Sequence, residues 1–303
     1  MASEAGVVDG SSLLDPARCG EDLIGNLRRA AAIAPSLCPG CADYHIRCTA
    51  HRAVGEAMGI ETDRPPLIAL LSEEMAARLA RPERIELVIA GSADTGVLST
   101  AAHAAARLGG EALRRIRFTV LDLCPTPLDL CRRFAERHGL DLATEAVDLT
   151  GPERRFPADI LLLHSVFRFI PNARHPAVLG ELAAWLRPGG AMVFSNRIKS
   201  LEAEESLADG AKRRRANERV LERLVHDPAT ADLDWADILP RLERSLADDE
   251  ARQGEFRNED EVRRLFESSP LRLERIEPVR RTIGGGAQPS YLRKRVLALL
   301  RAP

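Results

Sequence analysis

Apolar residues fall along this chain in two rhythms, and the change of rhythm divides it. Up to about residue 82 they recur at helical spacing. Leu23, Leu27, Ala30 and Ala31 predict a helix from Arg18 to about Ile33, closed by Pro35. Pro39-Gly40 marks a turn, Ala42 to Met58 a second helix, and Pro65-Pro66 opens a third, Leu67 to Leu79, ended by Pro82. Nothing in this part alternates as a strand does. From Ile85 short apolar runs alternate with helical stretches instead. Ile85–Ala90 runs into Gly91-Ser-Ala-Asp-Thr-Gly96 and then a helix, Val97–Leu108, closed by Gly109-Gly110. Ile116–Leu121 ends on Asp122, a helix Pro125–His138 follows with proline in its first turn and Gly139 behind it, and Leu142–Val147 ends on Asp148. Asp159–Leu163 is a continuous apolar run of the kind a central parallel strand needs. Helix Ala177–Leu186, turn Pro188–Gly190 and strand Ala191–Ser195 complete the alternation.

Strands alternating with helices imply right-handed crossovers and a parallel sheet. The tail reads as a helix, Asn258–Ser268, with an asparagine cap and acids in its first turn. Two alternating strands follow, Leu271–Val279 and Tyr291–Leu300, joined by Gly284-Gly-Gly286. Between Asn196 and Glu255 lies an insertion rich in Glu, Arg and Ala, read as helices Leu201–Val225 and Trp235–Glu250 split at Asp227-Pro228. The organisation expected is a helical cap over residues 1–82 and an α/β domain over 83–303, with a helical insertion at about 200–255.

Composition narrows the function classes. A chain of 303 residues, 45% hydrophobic and 29% charged, can bury a sizeable core and is expected to be a soluble globular protein. Lys+Arg 43 against Asp+Glu 45 gives a net charge of −2, which argues against a nucleic-acid-coating surface. Lys212-Arg-Arg-Arg215 then reads as a solvated helix face. No apolar run approaches membrane-spanning length, and Met1–Gly6 lacks the basic start of a secretory signal, so a cytoplasmic protein with reduced thiols is expected from its six cysteines.

The candidate chemistry lies at the strand ends, because ligands of open parallel sheets sit beyond the carboxyl ends of the strands. Gly91, Asp122, Asp148 and His164-Ser165 all fall there. A small-residue glycine turn presents backbone N–H groups, an acid ending the second strand can accept from both ribose hydroxyls, and an acid after the third can accept from an adenine amine. Together they describe a site for an adenosine-bearing ligand.

At these residues the sequence resembles the class I S-adenosylmethionine-dependent methyltransferases, over about Ile85 to Ser195 with a compatible ending. Ile89-Ala-Gly-Ser-Ala-Asp-Thr-Gly96 is similar to the family's glycine loop and Val120-Leu-Asp122 to its ribose-binding acid. Val147-Asp-Leu149 is similar to its adenine segment, and Asp159–Ile170 to its fourth-strand motif. Trp185-Leu-Arg-Pro-Gly-Gly190 before an apolar strand is the most specific match. The resemblance implies a Rossmann-like seven-stranded sheet, mostly parallel with an antiparallel last strand, and S-adenosylmethionine as cofactor. The cofactor-binding residues it implies are Gly91, Ser92, Ala93, Gly96, Asp122, Leu123, Asp148, Leu149, His164 and Ser165. Ile89 stands where the family often has an acid, Ala93 where it has a glycine, and Asp94 is the substitute contact for the cofactor's amino group.

Methyl transfer to a small molecule is the activity implied, with His164, or Tyr44 and His45 from the cap, as the base for an acceptor that must lose a proton. Asn196 and Arg197, read as lying just past the fifth strand, are candidates to orient the acceptor. Three other readings stay open: transfer or cyclisation of the aminocarboxypropyl arm of the same cofactor, a nicotinamide-dependent oxidoreductase, and a protein that binds the cofactor without turnover. The partners expected are a small-molecule acceptor and a second copy of the chain, through the cap or the insertion, with no membrane and no nucleic acid.

Cys38, Cys41, His45 and Cys48 have the residue types of a tetrahedral metal site, with the last three on one helix face. Only one well-spaced pair is present, however, so packing of reduced thiols is the reading adopted and no metal is assigned.

Overall fold

The structure is a computed structural model. It describes residues 12–15, 18–57, 63–152, 154–198, 215, 218, 221–251, 256–283 and 291–303. Most of the first insertion helix, Lys212–Arg214 and the Gly284–Gly286 loop therefore lie outside the described residues.

Three helices come first: α1 (Leu23–Leu37), α2 (Ala42–Ala57) and α3 (Arg64–Leu79). The start of α1 lies later than the apolar spacing suggested. Cys19 and Gly20 take left-handed φ values of 49° and 75°, and the helix begins only where Asp22 accepts from the Gly25 N–H at 2.9 Å. Its end lies later too. Proline in the last turn removes one N–H, but the Cys38 N–H still closes on the Ala34 carbonyl at 2.9 Å and the helix runs past Pro35 to Leu37. Helix α3 takes Pro65 and Pro66 into its first turn, where their missing N–H groups would have no intrahelical partner.

The alternating half forms β1 (Ile85–Ala90), β2 (Ile116–Asp122), β3 (Leu142–Ala146), β4 (Ala158–His164), β5 (Leu186–Ile198), β6 (Arg272–Ile283) and β7 (Tyr291–Arg301). They make one sheet in the order β3-β2-β1-β4-β5-β7-β6, with β7 antiparallel to both its neighbours and the others parallel. Between strands lie α4 (Gly96–Ala106), α6 (Pro125–His138) and α7 (His175–Ala183), with a one-turn helix α5 (Gly110–Arg114) leading into β2. Helices cover both faces, so β1 and β4 are buried almost throughout, which is why they read as continuous apolar runs. One face packs on α3, α4 and α6; the other packs on α7, Trp185 and the helix Glu259–Glu267.

The Pro188–Gly190 segment is not a turn before β5 but part of it. Leu186 pairs with Ala158 and Ala191 with Ile160, so the extra residues are taken up as a bulge in which Gly189 has φ 72°. Strand β5 also runs on to Ile198, which places Asn196 and Arg197 inside the sheet, opposite Val296 and Arg295 of β7.

The cap and the insertion share a core. Leu27, Ala34, Ala42, Ile46 and Ala50 cluster with Leu224, Ile238 and Leu242, and Arg47 donates to Ser245 at 2.8 Å. Asp43 reaches Arg241 and Arg244, and Arg28 pairs with Asp232. Among the described residues no helix is long and apolar enough to cross a membrane.

This shared cluster makes cap and insertion one mechanical unit. Replacing the buried Leu242 by alanine should cost about 2–5 kcal/mol in chemical denaturation. Hydrogen exchange should then rise in α1 and α2 as well as around residue 242. A rise confined to the insertion would contradict the coupling.

Candidate active site

Parallel strands release their carboxyl ends on one side of the sheet, and the cap lies against that side. The glycine turn begins at Gly91, whose N–H donates to the Leu121 carbonyl at 2.7 Å and whose φ is 86°. A Cβ there would stand 2.6 Å from Cγ2 of Val166, so both the conformation and the space select glycine. The Asp122 carboxylate then ties two loops together: Oδ2 accepts from the Ser92 N–H and Oδ1 from the Cys124 N–H, each at 2.8 Å. Burial pushes its pKa up, against the lowering effect of the two amides. Each oxygen keeps a second lone pair for a ligand hydroxyl. Beside it Leu123 is 67% exposed, an apolar surface without cover.

The remaining residues of the expected cofactor set divide. Asp148 is exposed and closes its own turn by accepting from the N–H and hydroxyl of Thr150, which lowers its pKa. Leu149 is buried, in the same cluster as Val88 and Leu163, with Cδ1 3.9 Å from where a Gly91 Cβ would stand. Asp94 is buried and engaged: its Oδ1 accepts from Arg52 at 2.8 Å and from the Gly96 N–H at 2.7 Å. That commits one of its two carboxylate oxygens to the fold. A cap network covers this end of the loop. Glu21 pairs with Arg52 and with Arg64 and accepts from the Thr95 hydroxyl, and Asn26 donates to Thr95 at 2.8 Å.

Beyond β4 a second network centres on Asp63, at the start of α3. Its Oδ2 meets His164 Nε2 at 2.9 Å, the Ser195 hydroxyl at 2.8 Å and Arg295 Nε at 2.9 Å. Burial would raise its pKa, but Arg295 and His164 hold it well below the usual carboxylate range. An ionised Asp63 can only accept, so in the bond between them His164 Nε2 is the donor. Ser165 takes a left-handed φ of 60°, a strained position for serine, and accepts from Arg295 at 2.6 Å. Asp63, Ser195 and Arg295 were not singled out from sequence; an aspartate ahead of Pro65-Pro66 reads simply as a helix cap.

The two cap residues expected as alternative bases are unsuited to that task. Burial holds the Tyr44 phenol pKa well above its ordinary value, and the ring packs edge-on against Phe169 at 5.3 Å. His45 uses both ring nitrogens: Nδ1 donates to the Ala93 carbonyl at 3.1 Å and Nε2 lies 3.5 Å from Cys41 Sγ. Asn196 is fully buried in β5, and its Oδ1 meets no donor among the described residues. The cysteines also regroup. Cys38, Cys41 and His45 meet Cys124 from the β2–α6 loop, whereas Cys48 turns to Tyr44.

No protein-family model matches the chain, and no curated protein matches it. Solved structures with a similar arrangement include the N-methyltransferase NodS from Bradyrhizobium japonicum in complex with S-adenosylhomocysteine. It is 14% identical, with 78% of this chain and 86% of that one covered and a TM-score of 0.41. An O-methyltransferase family protein from Burkholderia thailandensis is 14% identical over 92% of this chain and 72% of that one, TM-score 0.46. TehB from Haemophilus influenzae is 11% identical over 76% and 62%, TM-score 0.45. The strand order, with β7 reversed between β5 and β6, is that of a Rossmann-like seven-stranded, mostly parallel sheet, the architecture that the sequence resemblance implied.

The Asp63 network makes a stability prediction. A carboxylate whose folded pKa is depressed contributes stability above its unfolded value, about 3.9, and loses it as pH falls through the folded value. Asp63→Asn should therefore destabilise the chain at pH 7 by about 3–5 kcal/mol. It should also flatten the loss of stability that wild type shows below roughly pH 5. Denaturant titrations at several pH values test this; a variant as stable as wild type at pH 7 would contradict it.

Proposed function

We propose that this chain is an S-adenosylmethionine-dependent methyltransferase acting on a small molecule. The observation that carries the reading is the Asp122 carboxylate, held by two loop amides at the end of β2 with acceptor capacity to spare. Strand end, glycine turn at Gly91 and exposed Leu123 together fit a ribose and its base. Gly91, Ser92 and Ala93 would lie along the cofactor, with Asp122 on the ribose and Leu123 and Asp148 towards the adenine, while Gly96 is held by Asp94 under the cap. The bound cofactor supplies an electrophilic methyl group, so the chain's own task is alignment, exclusion of water and removal of a proton.

His164 is the base best placed for that removal. Its Nε2 is fixed by Asp63, so a proton taken from the acceptor would arrive on Nδ1 and the resulting cation would face the Asp63 carboxylate. Tyr44 and Phe169 join the cap to the loop after β4 and would help to close the site. A small-molecule acceptor is supported by the cap, which meets the strand ends at Ala93 and at His164. A cytoplasmic location and self-association through the helical layer belong to the same reading.

Calorimetry with S-adenosylhomocysteine, NAD and NADP tests it. Saturable binding of the first alone is expected, and a preference for a nicotinamide would overturn the proposal. Asp122→Ala should weaken S-adenosylhomocysteine binding by about 1.5–3 kcal/mol, roughly 10- to 150-fold. Product analysis with S-adenosylmethionine then separates methyl transfer from use of the aminocarboxypropyl arm.

A further inference from the structure

We infer that Cys38, Cys41, His45 and Cys124 form a structural zinc site that staples the cap to the strand ends. Their ligand atoms all lie within 4.8 Å of one another. Cys41 Sγ is 3.0 Å from Cys124 Sγ and 3.5 Å from His45 Nε2. A tetrahedral zinc with bonds of about 2.3 Å to sulfur and 2.0–2.1 Å to nitrogen sets its ligands roughly 3.5–3.8 Å apart. The cluster therefore reaches that geometry by side-chain adjustments of an ångström or less.

Each ligand is presented by local backbone that the sequence dictates. Cys38 ends α1, and Pro39-Gly40 turns the chain so that the Cys41 N–H closes on the Cys38 carbonyl at 3.0 Å. One turn into α2, His45 stands on the same side as Cys41. Cys124 caps α6 ahead of Pro125, with its N–H held by Asp122. Two independent features point to a metal and not to three stray thiols. The His45 Nδ1–H donates to the Ala93 carbonyl, which turns Nε2 to Cys41 Sγ at 3.5 Å, the ring orientation a metal ligand needs. The buried Thr126 hydroxyl stands 3.0 Å from Cys38 Sγ, a donor for a ligating thiolate.

Three thiolates and one imidazole in a closed tetrahedron suit zinc in a structural role. Each ligating thiol releases its proton to solvent and no electron moves. The consequence for the fold is specific. The metal would join the α1–α2 turn to the loop that carries Asp122, and through His45 to the glycine turn at Ala93, so both halves of the strand-end crevice would be set by one ion. Cys48 takes no part, being paired with Tyr44.

The inference does not depend on methyl transfer, since metal content is measured without cofactor or acceptor. The chain, purified under reducing conditions without chelator, is analysed for zinc by plasma mass spectrometry beside Cys124→Ser, Cys38→Ser and Cys48→Ser. About one zinc per chain is expected in wild type and Cys48→Ser, with a loss of several-fold or more in the other two. Should those two fail to fold, wild type refolded with cobalt(II) should show tetrahedral ligand-field bands and thiolate-to-cobalt charge transfer. Reduced wild type that holds no zinc and gives no such cobalt spectrum would overturn the site. So would a Cys41–Cys124 disulfide in the purified chain, or loss of metal in Cys48→Ser with retention in Cys124→Ser.

Discussion

One carboxylate sets the distance between the two loops that matter. Asp122 stands where β2 stops, and its two oxygens are stretched between the N–H of Ser92 and the N–H of Cys124. Removing it from water is costly, as its raised pKa records, and the two amides offset that cost only while both loops stay in place. The glycine turn and the start of α6 are therefore fixed relative to each other before any ligand arrives. A preorganised pair of loops loses little freedom when a ligand binds, which is how a shallow strand-end site gains affinity.

The cap then has to meet strand ends that are full of polar groups. At the strand ends it brings charges: Glu21, Arg52 and Arg64 at the glycine turn, Asp63 at the end of β4. Buried ion pairs of this kind add little net stability, because desolvation cancels much of the attraction, but a misplaced cap would leave them unpaired. The apolar contribution comes from α3, whose Leu67, Leu71 and Met75 join the core of the sheet, and from the cluster that α1 and α2 share with Leu224, Ile238 and Leu242. Charge pairing thus sets where the helical layer sits, and hydrophobic burial sets how firmly.

Much of this was legible from spacing alone. Apolar runs ending in Gly91 and His164, and a third strand ending in Asp122, gave the parallel sheet and its working edge, because a central strand covered on both faces has few polar positions to spare. What spacing could not give is what meets those ends from far along the chain. Cys124 lies 83 residues from Cys41, so helix periodicity nominated Cys48 in its place. Asp63 and Arg295 reach His164 from 101 and 131 residues away. The bulge at Gly189 was misread for the opposite reason: Pro-Gly-Gly is locally a turn, and only pairing with β4 keeps it in the strand. Leu149 and Asp94 match a motif by position, and spacing does not show that the one is buried and the other ion-paired to Arg52 of the cap.

The central claim is that the Gly91 turn and the Asp122–Cys124 segment form one ligand-binding unit. Hydrogen–deuterium exchange of the full chain, with and without saturating S-adenosylhomocysteine, reads this most directly. The account predicts the strongest new protection in residues 89–97 and 121–125, appearing together at one ligand concentration. Binding with protection confined to other segments, or in only one of the two loops, would contradict it.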